Sequence, residues 1–362
     1  MLKKQIVHFT ESFGGGVLQG ILELSKVQFS AGYKVTIVYL RRANTPIESE
    51  LQDMFGSIDL ICMGNSSLRN LFRMGTFSLR MQRNENSIVH AHSSWAGFVT
   101  RIAAMPNGKA NVFYTPHSFA FERRDISSTT KRIFLLIEKT LGRSDKSRIL
   151  GCSYQETRIS EMITKGRADF LGNYCVPLPA QFTPQTKKHH DVDVKRTVIG
   201  AGRICEQKNP SRFAKVANSV GSACQFNWIG DGDLIDSFRG TNIGITGWVS
   251  RESLAQYYFD SDIFLLTSDW EGLPFTVIEA FSCAIPVVAF EIDGIRDYVL
   301  DGYNGFVVQT IDQAKTRITQ LLLNDDLYKT LSTNAEEFFN QNFNKDILEV
   351  IWESKYGIRV DV

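Results

Sequence analysis

The sequence lacks the features that mark membrane-spanning, secreted and metal-binding proteins. No apolar run reaches the roughly 20 residues that a transmembrane helix needs, and the first ten residues, MLKKQIVHFT, lack the apolar segment of a signal peptide. The six cysteines are scattered without a CxxC pair, which disfavours disulfide scaffolds and zinc sites. We therefore expect a cytoplasmic protein with reduced thiols, no resident metal and no cofactor.

The formal net charge of +1 conceals two halves of opposite sign. Lys and Arg number 23 against 14 Asp and Glu in residues 1–185, and 17 against 25 in the remainder. The basic first half predicts a partner that is anionic, and a chance distribution of surface charge is the alternative. Nucleic acid is not among the expected partners.

Short apolar runs alternate with helical patterns of 10–15 residues, which indicates βαβ units and parallel sheets. The prolines and polar residues of VPLPAQFTPQTKKHHDVDVKR (176–196) interrupt this alternation and are typical of a linker. We predict an α/β protein with two doubly wound, Rossmann-like domains that face each other across a ligand-binding cleft. The predicted parts are an N-terminal domain (1–180), a linker (181–196), a C-terminal domain (197–340) and a C-terminal helix packing back on the first domain (341–362).

The stretch WEGLPFTVIEAF (270–281) places one glutamate before a Gly-Leu-Pro turn and another in the helix that follows. Pro274 suits the first helical position, where its missing N–H costs nothing. Apolar residues at helical spacing predict a buried face, with Glu279 on the opposite face. Free N–H groups at the helix start suit a diphosphate, and a carboxylate one turn later suits two ribose hydroxyls. The alternative is a loop glutamate and a solvated helix glutamate.

Two other loops combine glycine with the start of a helix. GAGRICEQKN (200–209) carries Arg203 and Lys208 just beyond a buried strand, where two cations suit a diphosphate; a merely charged loop is the alternative. TESFGGGVLQG (10–20) contains a glycine run that permits close backbone approach. It is not GxGxxG, and no acid ends the next strand, so a nicotinamide dinucleotide site is poorly supported.

Histidines and one acidic pair complete the candidate residues. His117 follows a predicted strand in YTPHSF, a place typical of functional residues, whereas we expect His90 to be structural. Asp231 and Asp233 in WIGDGD could hold a divalent metal against a diphosphate. An ordinary loop with a helix cap at Asp233 is the favoured interpretation.

Together these stretches resemble the family 4 retaining glycosyltransferases of GT-B fold. The resemblance rests on several motifs in the expected order and is densest over 197–308. They are SFGGGV, VHAHSSWAG, TPHSF, GAGRICEQKNP, WIGDGD, the long stretch from ITGWVS to PVVAF, and DGYNGFVV. Two positions depart from the family pattern: Ala284 stands where glycine is usual, and Arg296-Asp297 where Pro-Glu is common, which leaves the nucleotide preference open.

The resemblance implies roles for matching residues. Arg203 and Lys208 would hold the donor diphosphate, and Glu279 the ribose. His117 would contact the sugar near the reacting carbon. The donor sugar would lie against Glu271 and the backbone of Gly272, Leu273, Pro274 and Phe275, while Gly15 and Gly16 would line the phosphate and acceptor side. The family transfers sugars with retention and needs no metal.

The implied function is transfer of a hexose or N-acetylhexosamine from a nucleotide diphosphate sugar, UDP-sugar favoured, to a saccharide acceptor in surface-polysaccharide assembly. The basic first half fits a polyprenyl-diphosphate-linked acceptor and peripheral contact with the inner face of an anionic membrane. LRNLFRMGTFSLRMQR (68–83) mixes arginines with apolar residues and suits such contact; an ordinary domain helix is the alternative. Alternatives for the whole chain are a GT-B epimerase, a small-molecule glycosyltransferase, or a non-catalytic nucleotide-sugar-binding subunit.

Overall fold

The computed structural model describes residues 5–106, 112–176, 178 and 195–358. The chain divides into unit 1, Met1–Tyr174 with Lys345–Val362, and unit 2, Cys175–Asn344. Unit 1 thus ends before the predicted boundary at residue 180, because the Cys175 N–H already donates to the Phe343 carbonyl, 3.0 Å away, within unit 2. Residues 181–194 of the predicted linker lie outside the described residues.

Unit 1 is built on a parallel sheet of seven strands in the order β3-β2-β1-β4-β5-β6-β7. The central strands form because runs such as QIVHFT and SIVHAH are buried on both faces, as parallel sheets require. The strands are β1 (Gln5–Thr10), β2 (Lys34–Arg41), β3 (Asp59–Asn65), β4 (Ser87–His92), β5 (Val112–Thr115), β6 (Ser147–Gly151) and β7 (Ala168–Phe170).

Seven helices accompany this sheet in the described part of unit 1. They are α1 (Gly15–Ser30), α2 (Glu48–Phe55), α3 (Leu68–Gln82), α4 (Ser94–Ala104), α5 (Ser128–Gly142), α6 (Tyr154–Thr164) and α12 (Lys345–Lys355). Serine side chains cap three of them: Ser67 accepts from the Asn70 N–H, Ser127 from Thr130 and Ser153 from Glu156. Side-chain capping thus fixes where these helices begin.

Unit 2 repeats the plan with a parallel sheet of six strands in the order β10-β9-β8-β11-β12-β13. The strands are β8 (Thr197–Ala201), β9 (Gln225–Ile229), β10 (Ile243–Ile245), β11 (Ile263–Leu266), β12 (Val287–Phe290) and β13 (Gly305–Val308). The helices are α7 (Pro210–Val220), α8 (Arg251–Phe259), α9 (Phe275–Ser282), α10 (Ile311–Leu323) and α11 (Asp325–Asn342). Buried apolar clusters cover both faces of this sheet.

The predicted α/β class with doubly wound parallel sheets is confirmed in both units. In each sheet the strand order reverses beside the first strand, β1 or β8, and ligands of such sheets bind beyond the carboxyl ends near that point. Strand β7 was not predicted from the sequence, because its three residues, ADF, are half-buried and form no apolar run.

The C-terminal helix α12 belongs to unit 1 through buried aromatic contacts. Trp352 is 1% exposed, and its ring meets that of Tyr33 edge-on at 5.2 Å between centroids. Tyr356 follows the helix, and its ring lies 4.6 Å from that of Phe113 on β5. Helix α12 and Tyr356 therefore complete the core beside β1, β4 and β5.

Replacing Trp352 by alanine should lower the free energy of unfolding by about 3–5 kcal/mol, the usual cost of truncating a buried aromatic residue. The matched control is Val350→Ala on the same helix, where the side chain is 78% exposed and the change should stay within about 0.5 kcal/mol. Urea denaturation of both variants measures the difference. Equal stabilities would contradict the packing of α12 on unit 1.

Candidate functional site

In unit 2 the structure brings Lys208 and Glu271 together. Lys208 Nζ lies 2.6 Å from Glu271 Oε1, and the two side chains are only 15% and 10% exposed. Ser268 Oγ donates to the same carboxylate oxygen at 2.7 Å, and Gln207 Nε2 donates to the other oxygen at 3.1 Å. Lys208, predicted to bind the diphosphate, and Glu271, predicted to bind the sugar, thus belong to one hydrogen-bonded group, which fixes both side chains.

Arg212 of α7 braces the loop that carries Glu271. Its guanidinium donates to the Thr267 carbonyl at 2.8 Å and to Asp269 Oδ1 at 2.7 Å. The two loops also bond directly, since the Asp269 N–H donates to the Gln207 carbonyl at 2.8 Å. Four residues were not singled out in the sequence, because no local pattern shows which distant residue each will contact: Gln207, Ser268, Arg212 and Asp269.

The glycines of the β8 and β9 loops allow two backbones to touch. A Cβ added at Gly230, whose φ is +137°, would lie 2.2 Å from the Gly202 carbonyl oxygen, and one at Gly232 2.4 Å from that of Ile204. The Ile204 N–H donates to the Asp231 carbonyl at 2.8 Å, which joins the loops. The two glycines of WIGDGD are thus explained by close backbone approach.

Arg203 and the start of α9 complete the unit 2 constellation. Arg203 is exposed and has no hydrogen-bond or ion-pair partner among the described residues. Helix α9 begins at Phe275, with Pro274 at the N-cap rather than at the predicted first helical position. The Thr276 hydroxyl, in the first turn, is buried without a hydrogen-bond partner in the described part of the chain.

The predicted substrate-binding residues beside Glu271 divide into backbone and side-chain groups. Leu273 and Phe275 are 4% and 7% exposed, and Pro274 is also buried, so a ligand there meets backbone rather than these side chains. Gly272 is half-buried. The role implied for the backbone of residues 272–275 stays a prediction.

Glu279 is buried, so the prediction that it faces away from the packed side of α9 was wrong. It is 6% exposed, and it packs against Tyr258 of α8, whose pKa is raised by burial and by the Glu279 carboxylate. The error arose because the apolar stripe of α9 indicates one buried face, whereas α8 covers another. Glu279 therefore lies in a low-dielectric setting, where its hydrogen bonds are strong.

Gly15 and Gly16 are exposed at the start of α1 in unit 1. Gly15 has a φ of +54°, and an added Cβ would meet nothing within 4 Å. The tight position is Gly14, the N-cap, where a Cβ would lie 2.6 Å from the Asn44 carbonyl oxygen. The glycine run thus leaves the first N–H groups of α1 accessible at the carboxyl edge of the sheet.

His117 lies just after β5 in a turn that a buried carboxylate holds. His117 and Ser118 both have positive φ values, 53° and 80°, which cost non-glycine residues about 1–3 kcal/mol each. The Ser118 N–H donates to Glu156 Oε1 at 2.8 Å, and the Cys152 N–H donates to Oε2 at 2.6 Å. Glu156 thereby fixes the turn and the position of His117.

Three further histidines cluster beside His117 in unit 1, which the sequence prediction missed. His8 and His90 are register partners on β1 and β4, and His92 is two residues further along β4. His92 Nδ1 lies 3.1 Å from His117 Nε2, and His92 Nε2 lies 2.9 Å from His8 Nδ1. Strand alternation was the available signal, because residues 8, 90 and 92 share one face of the sheet.

Ring nitrogens of His8, His90 and His92 approach one another within 4.8 Å, a spacing that could serve a metal ion. Each ring nitrogen of these three residues, however, already has a hydrogen-bond partner. His90 Nε2 lies 2.9 Å from Thr115 Oγ1 and His90 Nδ1 2.5 Å from the Tyr356 hydroxyl, and His8 Nε2 lies 2.7 Å from Gln28 Oε1. The cluster is therefore a satisfied hydrogen-bond network.

The predicted site residues thus form two groups. Arg203, Lys208, Glu271, Gly272 and the residues of α9 belong to unit 2, where Lys208 and Glu271 are in direct contact. The other group is in unit 1 and consists of Gly15, Gly16 and His117.

Comparison with known proteins gives matches in both units. The family model described as glycosyltransferase family 4 matches residues 14–154, and the model described as glycosyl transferases group 1 matches residues 182–338. The chain belongs to the family 4 glycosyltransferases. The resemblance inferred from the motifs is therefore confirmed.

Relatives and solved structures resemble the glycosyltransferase over most of its length. A protein of Escherichia coli named UDP-Gal:alpha-D-GlcNAc-diphosphoundecaprenol alpha-1,3-galactosyltransferase is 25% identical, with 91% of each chain covered. An uncharacterized 41.2 kDa protein in the cps region of Klebsiella pneumoniae is 28% identical over 69% of this chain and 72% of its own. Sucrose-phosphate synthase from Thermosynechococcus elongatus has a TM-score of 0.78 at 16% identity, with 98% of each chain covered.

These structural likenesses confirm the GT-B fold of the glycosyltransferase. The Anabaena protein HepE, solved with UDP and glucose, has a TM-score of 0.77 at 14% identity and covers 98% of this chain and 99% of its own. At a sequence identity of 14%, this structural likeness shows the fold and nothing about the activity. Within the described residues, no helix is both long enough and apolar enough to cross a bilayer.

The buried histidines of the glycosyltransferase predict a specific pH dependence. Burial lowers the pKa of His8 to about 4, whereas an unfolded histidine titrates near 6.5. Between these values the unfolded chain binds more protons at residue 8, so the contribution of His8 to stability falls as pH decreases from about 6.5 to 4. The lost contribution is about 3 kcal/mol, at about 1.4 kcal/mol per pKa unit.

A His8→Gln variant isolates this contribution from the buried carboxyl groups of Glu11 and Glu156, whose pKa values are raised by burial and act in the opposite direction. The difference in unfolding free energy, wild type minus variant, should shrink as pH falls from 6.5 to 4.5. Urea titrations at several pH values measure it. A difference that does not change with pH would contradict a buried neutral His8.

Proposed function

We propose that the protein transfers a hexose or N-acetylhexosamine from a nucleotide diphosphate sugar, with retention of configuration, to a saccharide on a polyprenyl diphosphate carrier. The reaction would serve assembly of a surface polysaccharide such as O-antigen, capsule or exopolysaccharide. The observation that carries this proposal is the Lys208–Glu271 pair next to the start of α9. We place the protein in the cytoplasm, at the inner face of the cell membrane.

The unit 2 constellation suits the donor. A diphosphate needs cations and N–H donors, which Arg203, Lys208 and the first turn of α9 supply, and the unpartnered Thr276 hydroxyl adds one more donor. Glu271 accepts hydrogen bonds, as a ligand for sugar hydroxyls must, and it already accepts one from Lys208. We assign Glu279 to the ribose hydroxyls.

Electrostatic stabilisation of the leaving group is the main catalytic effect in this proposal. Departure of the nucleoside diphosphate builds negative charge on the β-phosphate, and fixed cations stabilise that charge in the transition state. Lys208 is suited to this task because Glu271, itself held by Ser268 and Gln207, fixes its position before the charge develops. We therefore propose that turnover needs no metal ion and survives EDTA.

The acceptor assignment follows relatives rather than a site in this chain. The E. coli relative is named for a diphosphoundecaprenol-linked acceptor and a UDP-Gal donor, and the name of the Klebsiella relative places it in a cps region. These names support a UDP-sugar and a polyprenyl-diphosphate-linked saccharide. His117, Gly15 and Gly16, at the carboxyl edge of the unit 1 sheet, are assigned to the sugar and acceptor side.

Helix α3 supports contact with an anionic membrane. Leu68 and Phe72 are 80% and 73% exposed, while Leu71 and Met74 pack into the core. Four arginines lie exposed along the same segment: Arg69, Arg73, Arg80 and Arg83. Exposed apolar side chains flanked by cations suit the interface of an anionic bilayer, where each basic residue contributes about 1 kcal/mol.

Replacing Lys208 by alanine should lower kcat/KM by about 100- to 1,000-fold, the usual loss when one preorganised donor to developing charge is removed. Lys215→Ala is the matched control, because Lys215 is an exposed lysine on α7 with no part in the site. The assay measures nucleotide release from UDP-sugars with a lipid-linked acceptor.

Thermal shifts with UDP, GDP, ADP, TDP and CMP identify the donor base and separate binding from turnover. Wild type and Lys215→Ala should be stabilised by one diphosphate, equally with magnesium or EDTA, while Lys208→Ala should lose most of the shift. Wild-type turnover in Lys208→Ala would overturn the site assignment. A shift that requires magnesium would overturn metal independence.

The membrane proposal predicts that Leu68→Ser with Phe72→Ser weakens binding to vesicles containing anionic lipid by tenfold or more, because two apolar anchors are lost. The control is Leu323→Ser with Val350→Ser, which changes side chains that are 82% and 78% exposed elsewhere. Sedimentation with anionic and neutral vesicles at low and high salt measures binding. Equal binding of both double variants would remove α3 from the proposed membrane contact.

A further inference from the structure

The histidine cluster contains a continuous hydrogen-bonded chain that ends at His117. It runs from Gln28 on α1 through His8 on β1 and His92 on β4 to His117 after β5. The successive nitrogen and oxygen atoms are 2.7, 2.9 and 3.1 Å apart. The chain therefore crosses three neighbouring strands of the unit 1 sheet.

The direction of hydrogen-bond donation along the chain follows from its buried end. Gln28 Oε1 can only accept, so His8 Nε2 carries a proton and donates to it. A neutral His8 then accepts at Nδ1 from His92 Nε2–H. His92, also neutral, accepts at Nδ1 from His117 Nε2–H. Each link thus dictates the tautomer of the next histidine.

Burial keeps every ring of the chain neutral, as this direction requires. His8 and Gln28 are 0% exposed and His92 is 2% exposed. Burial lowers the pKa of His8 and His117 to about 4 and that of His92 well below its usual range. A charged ring would have two N–H donors and would break the sequence of one donor and one acceptor.

The orientation of the Gln28 amide sets the direction of the whole chain, because a reversed amide would reverse each bond. Its oxygen lies 2.7 Å from His8 Nε2, whereas its buried nitrogen forms no hydrogen bond within the described residues. Burial raises the pKa of the Tyr356 hydroxyl, which therefore keeps its proton. The Thr115 hydroxyl donates to the Leu150 carbonyl, so it accepts from His90 Nε2–H. His90 Nδ1 is then an acceptor, and the Tyr356 hydroxyl donates to it.

We propose that Gln28, His8 and His92 are positioning residues that hold His117 as the Nε2–H tautomer and present its Nδ1 lone pair to the sugar donor or acceptor. No described residue forms a hydrogen bond to His117 Nδ1, and the ring is half-buried, so this nitrogen is open to a substrate hydroxyl. The proposal rests on the role assigned to His117 above, but the tautomer can be measured without turnover.

Long-range proton–nitrogen NMR on protein labelled in its six histidines reads each tautomer directly. His8, His92 and His117 should all carry the proton on Nε2 at pH 7. Gln28→Met removes the terminal acceptor and should give His117 a mixture of tautomers, whereas Gln28→Glu keeps an acceptor and should retain the single Nε2–H form. An Nδ1–H tautomer of His117 in the wild type would overturn the proposed hydrogen-bonded chain. A His117 tautomer that stays the same in Gln28→Met would overturn it as well.

The matched control is Gln82→Met on α3, away from the hydrogen-bonded chain. Gln82 is 4% exposed, and its amide donates to Ser78 Oγ on α3 and to the Thr100 carbonyl on α4. Both variants lose a buried amide, so both should lose stability. Only Gln28→Met should alter the His117 tautomer and lower kcat, by about tenfold with KM for the donor nearly unchanged. An equal loss of kcat in Gln82→Met would overturn the link between the chain and the reaction.

A double variant separates this inference from the role of His117 itself. In the His117→Ala background, Gln28→Met should cause no further loss of kcat, because its effect passes through the missing ring. A further tenfold loss would overturn the inference. If His117→Ala alone turns over like the wild type, the assigned role of His117 is wrong, while the NMR result still decides the chain.

Metal analysis of the purified protein tests whether the histidine cluster binds a metal ion instead of forming the hydrogen-bonded chain. The hydrogen-bonded chain predicts no stoichiometric metal and unchanged histidine spectra after addition of zinc. Zinc bound one to one by His8, His90 and His92 would overturn the chain, because it would replace the bond between His8 and His92.

Discussion

The carboxyl ends of parallel strands place polar loops at one edge of each sheet, and the polar groups of those loops must be satisfied. In unit 2 this need is met by contacts between loops: Lys208 with Glu271, and Arg212 with Asp269. In unit 1 it is met by Glu156 under the His117 turn and by the histidine chain. Lys208, Glu271 and His117 are held by the same bonds that satisfy these edges, so the fold itself preorganises them.

Much of this arrangement could be predicted from the sequence because it depends on local patterns. Alternating strands and helices indicated the doubly wound sheets, and the motifs around Arg203, Lys208, Glu271 and His117 marked the loops beyond strand ends. The family resemblance depended on the order of those motifs, and order along the chain survives where overall identity falls to 25%.

The rest could not be predicted because it depends on which distant segments meet. His90 and Tyr356 are 266 positions apart, and nothing local to either residue indicates their hydrogen bond. Glu279 shows the same limit: the helical pattern of α9 reveals one apolar face, but not that Tyr258 covers another. The histidine cluster could have been predicted more easily. Strands β1 and β4 are neighbours in any sheet of this order, and alternation along each strand puts their histidines on one face.

The two groups of site residues differ in charge in a way that suits the proposed chemistry. The leaving diphosphate gains negative charge, and unit 2 offers Arg203 and Lys208 to stabilise it. The sugar that it leaves gains positive charge in a dissociative transition state, which a protonated histidine would oppose. A His117 whose pKa is lowered to about 4 stays neutral, and its Nδ1 lone pair can accept a hydrogen bond without that repulsion. Burial accounts for the neutrality of this ring, and the proposed hydrogen-bonded chain behind it would select a single tautomer.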